Sequence, residues 1–128
     1  MATTGSEPVV VDSSGWLEYI TGDSKHDLFA PYFADESRIR VPMIVLYEVR
    51  KVLLARASKN KADEFVATAL QLHLVPVDSA IALSAAALSI DYKLPMADAL
   101  IYASALDRKA MLVTSDAHFQ NLPNVTIL

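Results

Sequence analysis

Two aspartates follow short apolar runs of the kind found in buried strands. Asp12 comes directly after Val9–Val11, and Asp116 comes two residues after Met111–Thr114. Runs of this length, rich in β-branched residues, predict strands. Binding sites in an open parallel sheet form outside the carboxyl ends of its strands. Both carboxylates are therefore expected at such a site.

Two further acids fall inside predicted helices, on faces that are otherwise apolar. Glu48 is followed four residues later by Val52, and Asp98 is followed four residues later by Tyr102. Residues at this spacing share one face of a helix. A carboxylate on such a stripe must be protonated, hydrogen-bonded, paired with a cation or bound to a metal.

Each of these four acids also has a purely structural interpretation. Asp12 could cap a helix, Asp98 could favour the start of its own helix, and Asp116 could begin a turn. Glu48 could pair with a buried arginine. If the four converge at one sheet edge, however, they cannot all ionise without a cation. A cysteine-free, histidine-poor set of oxygen ligands favours Mg²⁺ or Mn²⁺, which can activate water for phosphodiester hydrolysis.

The chain contains three histidines, His26, His73 and His118. They are too scattered to suggest a three-histidine metal site. His118 lies near Asp116, but we interpret it as structural.

Predicted strands and helices alternate along the chain. Strands are predicted at 9–11, 38–41, 74–77, 111–114 and 125–128, and helices at about 14–21, 45–56, 61–72, 79–90 and 95–108. An irregular helical stretch is predicted at 25–34 with a break or restart at Pro31, and a turn or short helix at 117–121. No short hairpin signal interrupts this order. The alternation predicts an α/β fold with a parallel sheet and helices on both faces.

Length and composition limit the class of protein. The 128 residues fit one domain, expected at 8–128 after a polar leader at 1–7. The hydrophobic fraction of 53% excludes intrinsic disorder, and the lack of cysteine excludes disulfides and thiolate metal sites. No apolar run approaches the ~18 residues of a membrane span, and the start does not resemble a secretory signal. We therefore expect a cytoplasmic protein with no membrane association.

The charge distribution is uneven. The net charge is −4, yet seven of the eleven basic residues lie between Arg38 and Lys61. This basic zone could contact a phosphate backbone, or it could be a solvated helix end. The sequence alone leaves both interpretations open.

Four segments in order resemble the PIN-domain family, and in particular the VapC-type toxin ribonucleases of toxin–antitoxin systems. They run from Val9 to Ser14, from Val45 to Val49, from Leu94 to Ile101 and from Leu112 to Asp116. The resemblance extends from Pro8 to Leu128. It implies a three-layer α/β/α sandwich around a mostly parallel sheet. It also implies a metal-dependent endoribonuclease, usually a homodimer silenced by a small antitoxin protein.

The resemblance also assigns roles to individual residues. The acids that match the family's metal-binding quartet are Asp12, Glu48, Asp98 and Asp116. Thr114 matches a hydroxyl that lies two residues before the last acid and holds that carboxylate or the attacking water. Ser13 is a weaker candidate of the same kind. The polar leader departs from the family, whose members begin almost directly with the first strand.

Two other functions compete with this one. The first is a PIN-fold nuclease of RNA processing or quality control, which has the same site and no toxin role. The second is a receiver-type signalling domain, which needs an acidic pair after the first strand and a lysine after a late strand. Here Asp12 precedes Ser13, and Thr114 precedes Ser115, so the sequence lacks both features.

Overall fold

The computed structural model describes residues 7–128, so nearly all of the expected polar leader lies outside the described residues. Within this range the five strands are β1 (Val9–Val11), β2 (Arg40–Pro42), β3 (His73–Val75), β4 (Met111–Thr114) and β5 (Val125–Ile127). The helices are α1 (Ser13–Thr21), α2 (His26–Phe29), α3 (Met43–Arg56), α4 (Lys59–Ala69), α5 (Ser79–Tyr92) and α6 (Met96–Asp107). Short 3-10 turns cover Ala30–Phe33, Glu36–Arg38 and Ala117–Phe119.

All paired strands run parallel. β4 lies between β1 and β5, and β2 pairs with β3. A single parallel bridge between Val9 and Ile39 joins the two groups, which gives the order β3-β2-β1-β4-β5. After β1 the chain continues to β2 on one side of the sheet, and after β4 it continues to β5 on the other side. The carboxyl ends of β1 and β4 therefore form the switch point, where ligands bind in open parallel sheets.

Helices cover both faces of the sheet. Parallel crossovers are almost always right-handed. The two connections that lead from β1 to β3 therefore place α1–α4 on one face, and the return to β4 places α5 and α6 on the other. The fold is the α/β/α arrangement that the sequence predicts. No helix of residues 7–128 is long and apolar enough to cross a bilayer.

The first strand and helix pack closely together. Val10 and Val11 are fully buried, and Gly15 lies directly over this strand. A Cβ at Gly15 would lie 2.6 Å from Val11 Cγ1 and 2.5 Å from Phe29 Cε1. Only glycine lets α1 approach so closely, and this approach keeps the start of the helix beside the end of β1.

Several predicted boundaries shift for local reasons. The strand predicted at 38–41 begins at Arg40, because Arg38 ends a 3-10 turn, and it includes Pro42. The helix predicted from residue 61 begins at Lys59, because the Ser58 hydroxyl accepts the backbone N–H of Lys61 and caps it there. The helix predicted to end at residue 21 ends there, because Gly22 takes the left-handed conformation with φ 67°.

Candidate metal centre

Asp12 is the most deeply buried acid of the candidate site, with 4% of its surface exposed. It caps α1 by accepting the Ser13 backbone N–H at 2.7 Å, as its structural interpretation predicts. Its other oxygen accepts hydrogen bonds from the Thr114 hydroxyl at 2.7 Å and the Ser14 hydroxyl at 3.3 Å. Burial raises the pKa of Asp12 to about 6, opposed by the bonds from Thr114 and Ser13 and reinforced by other carboxylates nearby.

Thr114 joins the two strand-end acids. Its buried hydroxyl donates to Asp12 Oδ2 and accepts the backbone N–H of Asp116 at 2.9 Å. Because β1 and β4 are neighbours in register, with Val11 opposite Val113, their carboxyl ends meet at this hydroxyl. The threonine therefore holds the Asp12 carboxylate and the backbone of Asp116, whereas the resemblance implied that it holds the Asp116 carboxylate or the attacking water.

Glu48 reaches the same place from α3 and is partly buried there. The Ser13 hydroxyl donates to Glu48 Oε1 at 2.7 Å. Ser13 thus contacts two acids, Asp12 through its backbone N–H and Glu48 through its hydroxyl. No arginine pairs with Glu48 among the contacts of the described residues, so the ion pair considered for it is not formed there.

Asp98 lies in the first turn of α6 and faces His118. The His118 Nδ1 lies 3.0 Å from Asp98 Oδ2 and 3.3 Å from Asp116 Oδ1. Burial raises the pKa of Asp98, and the nearby carboxylates of Asp116 and Glu48 add to this increase, while the hydrogen bond from His118 opposes it. The hydrogen bond to Asp98, followed by the charge of Asp116, raises the pKa of His118.

The position of His118 differs from its interpretation as a purely structural residue. One donor atom from each of Asp98, Asp116 and His118 lies within 4.8 Å of the others. The sequence signal was the Asp-x-His spacing after a strand, because a capping aspartate accepts the backbone N–H two residues later. Here Asp116 Oδ1 accepts that N–H of His118 at 2.9 Å. The contribution of Asp98 could not be read from this spacing.

All four predicted acids therefore lie around the switch point, together with Thr114 and Ser13, but among the described residues only Asp98, Asp116 and His118 have donor atoms within 4.8 Å of one another. Hydrogen bonds connect them in one series, from Glu48 through Ser13, Asp12, Thr114, Asp116 and His118 to Asp98. Carboxylates close together repel one another, and a divalent cation relieves this repulsion. Their oxygen atoms are also the ligands that such cations prefer. The chemistry of the donor set thus fits Mg²⁺ or Mn²⁺.

The structure divides the basic zone into two parts. Arg50 lies 3.0 Å from Asp63, so this arginine is already paired. Lys51 and Arg56 line a groove of about 330 Å³ beside Glu48, and Lys51 also lines a neighbouring groove with Arg50. The other residues of the groove beside Glu48 are Tyr47, Val52 and Ala55. Lys51 and Arg56, for which the described residues offer no acid within ion-pair distance, therefore lie beside Glu48 on α3.

The comparison with protein families identifies the class. The PIN domain family matches residues 9–125, nearly the whole chain, and the protein belongs to this family. The resemblance seen in the sequence is confirmed. No curated protein sequence that was compared with the chain matches it.

Solved structures share this fold at low sequence identity. A toxin–antitoxin complex from Klebsiella pneumoniae aligns with a TM-score of 0.78 and 19% identity, covering 92% of this chain and 95% of the other. A DNA-bound VapBC from Salmonella typhimurium gives 0.75 and 16%, covering 95% and 97%. The sarcin–ricin loop cleaving toxin VapC20 from Mycobacterium tuberculosis gives 0.71 and 18%, covering 83% and 86%. At these identities the likeness establishes the fold.

Proposed function

We propose that this PIN domain is a metal-dependent endoribonuclease that hydrolyses RNA phosphodiester bonds, and that it is the cytoplasmic toxin of a type II toxin–antitoxin pair. The single observation that carries the proposal is the hydrogen-bonded series of four acids at the switch point between β1 and β4. Purely structural carboxylates would not need to gather from two strands and two helices at one place.

The cation would be held by Asp12, Glu48, Asp98 and Asp116. When bound, Mg²⁺ or Mn²⁺ activates water and stabilises charge that develops on a phosphoryl group. The buried position of Asp12 and its fixed hydrogen bonds keep one ligand in place before any ion arrives. Preorganisation of this kind reduces the reorganisation that binding and reaction would otherwise require.

The remaining residues of the site hold these ligands in place. The Thr114 hydroxyl orients Asp12 and the backbone of Asp116, and the Ser13 hydroxyl orients Glu48. Outer hydrogen bonds of this type commonly change metal affinity or activity by about 10- to 100-fold when they are removed. Thr114 is therefore proposed as a residue that positions the ligands.

The RNA backbone is proposed to follow the groove along α3. Lys51 and Arg56 line it beside Glu48, so their charges could bind phosphates that flank the scissile bond. This arrangement would offset the repulsion between an acidic cluster and an anionic substrate. It also explains how a chain of net charge −4 could bind RNA.

An antitoxin partner is proposed because the solved structures of the same fold include toxin–antitoxin complexes. A homodimer is proposed through the outer face of α5 and the start of α6, which we call the α5 face. Leu83, Ile90 and Met96 on this face are 74%, 81% and 74% exposed, and Asp91 is the one charged residue of α5. A second copy of the chain presents the same apolar α5 face, so the two faces can pack together without burying opposed charges. Sedimentation analysis of Ile90→Glu against the wild type tests this pairing.

Amide substitutions test the nuclease proposal. Asp12→Asn, Glu48→Gln, Asp98→Asn and Asp116→Asn each remove one negative ligand while conserving side-chain shape. Each is expected to lose most cleavage of an end-labelled RNA in the presence of Mn²⁺. Glu36→Gln is the matched control, because Glu36 is exposed in the 3-10 turn before β2 and makes no side-chain hydrogen bond to the site. Cleavage by all four variants at the wild-type rate would contradict the proposal.

The toxin role needs a separate experiment, because a nuclease of RNA processing would have the same site. Expression of the wild type in bacterial cells should arrest growth, and expression of Asp116→Asn should not. A small protein encoded beside the gene should relieve the arrest. Active nuclease without growth arrest would favour the processing role.

A further inference from the structure

His118 is the one member of the cluster that the acidic quartet does not include. Its side chain is 60% exposed, yet Nδ1 faces the two acids at 3.0 and 3.3 Å instead of solvent. Among residues 7–128, this histidine, Asp98 and Asp116 form the one group of three or more acidic, histidine or cysteine side chains close enough to bind a common ion. Asp12 and Glu48 join this group through intervening hydroxyls.

The histidine is held at this position from two sides. Its backbone N–H donates to Asp116 Oδ1 at 2.9 Å, which fixes the 3-10 turn that carries it. The next residue, Phe119, is fully buried and lies edge-on to Tyr102 with ring centroids 6.2 Å apart. Tyr102 is one helical turn after Asp98 on α6, and its hydroxyl donates to the Pro123 carbonyl at 2.6 Å.

This packing holds the turn that carries His118 beside α6. The Tyr102–Phe119 contact joins α6 to the 3-10 turn, and each of the two site residues is close in sequence to one of those rings. The ring contact positions the turn, and the contacts of Nδ1 with Asp98 and Asp116 limit the rotamer freedom of the exposed imidazole. The imidazole nitrogen is therefore preorganised beside two carboxylate oxygens.

Two roles are compatible with this geometry. As an imidazolium, His118 would be a counter-ion that a divalent cation must displace, because two positive charges repel at about 3 Å. As a neutral imidazole, it would keep its proton on Nε2 and release the Nδ1 proton to solvent as the ion binds, so that the Nδ1 lone pair faces the ion. Nδ1 faces the carboxylate oxygens, so ligation requires no rotation of the ring away from them.

We propose that His118 Nδ1 is a direct ligand of the divalent cation, together with Asp98 and Asp116. The inference rests on the proposed metal site and makes it more specific. It changes the expected ligand set from oxygen alone to mixed nitrogen and oxygen. Mg²⁺ prefers oxygen ligands, whereas transition metals accept imidazole. The site should therefore favour Mn²⁺ over Mg²⁺ more strongly than four carboxylates would.

The test measures ligation directly on RNA-free, full-length protein. Electron spin echo modulation of the Mn²⁺-loaded wild type should show coupling to a ¹⁴N nucleus. His118→Ala should lose this coupling, and His73→Ala should keep it, because His73 is an exposed histidine on β3. Calorimetric titration should show that Mn²⁺ affinity falls about tenfold or more in His118→Ala. Losing a residue that contacts only the ligands already costs about tenfold, so losing a ligand should cost at least as much. Mg²⁺ affinity should change much less.

The possible results separate this inference from the function on which it rests. Mn²⁺ binding without ¹⁴N coupling, or with equal or higher Mn²⁺ affinity in His118→Ala, would overturn the ligand role, and a higher affinity would identify a counter-ion. In that case the metal site itself would stand. Failure of the wild type to bind either ion, or wild-type affinity in Asp98→Asn and Asp116→Asn, would overturn the metal site and the ligand role together.

Discussion

The Thr114 hydroxyl donates a 2.7 Å hydrogen bond to Asp12 Oδ2, although 102 residues separate them in the chain. Both groups are buried, so neither can exchange this partner for water. The bond stabilises the ionised form of a carboxylate whose pKa burial has raised to about 6. The bond therefore connects the ends of β1 and β4, and it also lowers the pKa of Asp12 against the effect of burial.

Removing this hydroxyl should impair the site while preserving the fold. Thr114→Val is nearly the same shape but cannot donate, so the pKa of Asp12 should rise further and metal affinity should fall by about 10- to 100-fold. Thr114→Ser retains the hydroxyl and should restore most of the affinity. Mn²⁺ titration of the three proteins checks this expectation. Equal affinity in Thr114→Val and the wild type would show that the hydroxyl does not hold the ligand.

The metal-free protein should become more stable on mild acidification. Asp12 has a folded pKa of about 6 against 3.8 for an unperturbed aspartate. The folded state therefore binds more protons between these values, and stability falls as pH rises through this window. The full shift corresponds to about 3 kcal/mol, of which roughly 1 kcal/mol should be regained between pH 7 and pH 5.

Chemical denaturation in chelator at these two pH values measures the effect. Asp12→Asn cannot ionise and can still cap α1, so its stability should depend less on pH. His118 affects stability at higher pH than Asp12 does. Because the pKa of His118 is raised in the folded state, its stabilising contribution is complete below pH 6.5 and is lost as the pH rises through this folded-state pKa. A wild type more stable at pH 7 than at pH 5 would contradict the burial of an ionised Asp12.

Divalent metal should raise the melting temperature, because it relieves repulsion and binds only the folded protein. At about 100-fold excess over the dissociation constant, one site contributes about 2.7 kcal/mol. Asp116→Asn should melt slightly higher than the wild type without metal and show a smaller shift with Mn²⁺. Thermal melts of both proteins, with and without Mn²⁺, check these opposite changes. Identical metal-induced shifts would remove Asp116 from the site.

The two parts of the basic zone should respond differently to substitution. Lys51→Gln and Arg56→Gln should each weaken RNA binding and reduce the slope of log affinity against log salt by about 0.7, the value for one phosphate contact on a single strand. Arg50→Gln is the matched control on the same helix, because Arg50 already pairs with Asp63. Binding measured at several salt concentrations, in Asp116→Asn to prevent cleavage, gives these slopes. An equal loss in all three variants would indicate general electrostatics instead of a groove.

Local signals in the sequence were sufficient for much of the fold and for the acidic residues of the site. Short β-branched runs predicted β1 and β4, and helical spacing placed Glu48 and Asp98 on apolar faces. The start of α5, where the Asp78 side chain accepts the backbone N–H of Ile81 at 2.9 Å, also follows from local chemistry, as does the end of α1 at Gly22. The predicted helix boundaries were less exact, because a capping side chain such as Ser58 can start a helix before its apolar pattern begins.

Only the tertiary structure decided which groups contact one another. The bond from Ser13 to Glu48 spans 35 residues, and the contact between Asp98 and His118 spans 20. No local pattern encodes such distances, because they depend on how α3, α6 and the turn after β4 pack around the sheet. The sequence therefore determined the carboxylates and their elements. Packing decided that a histidine joins them and that Arg50 faces Asp63 while Lys51 lines the groove.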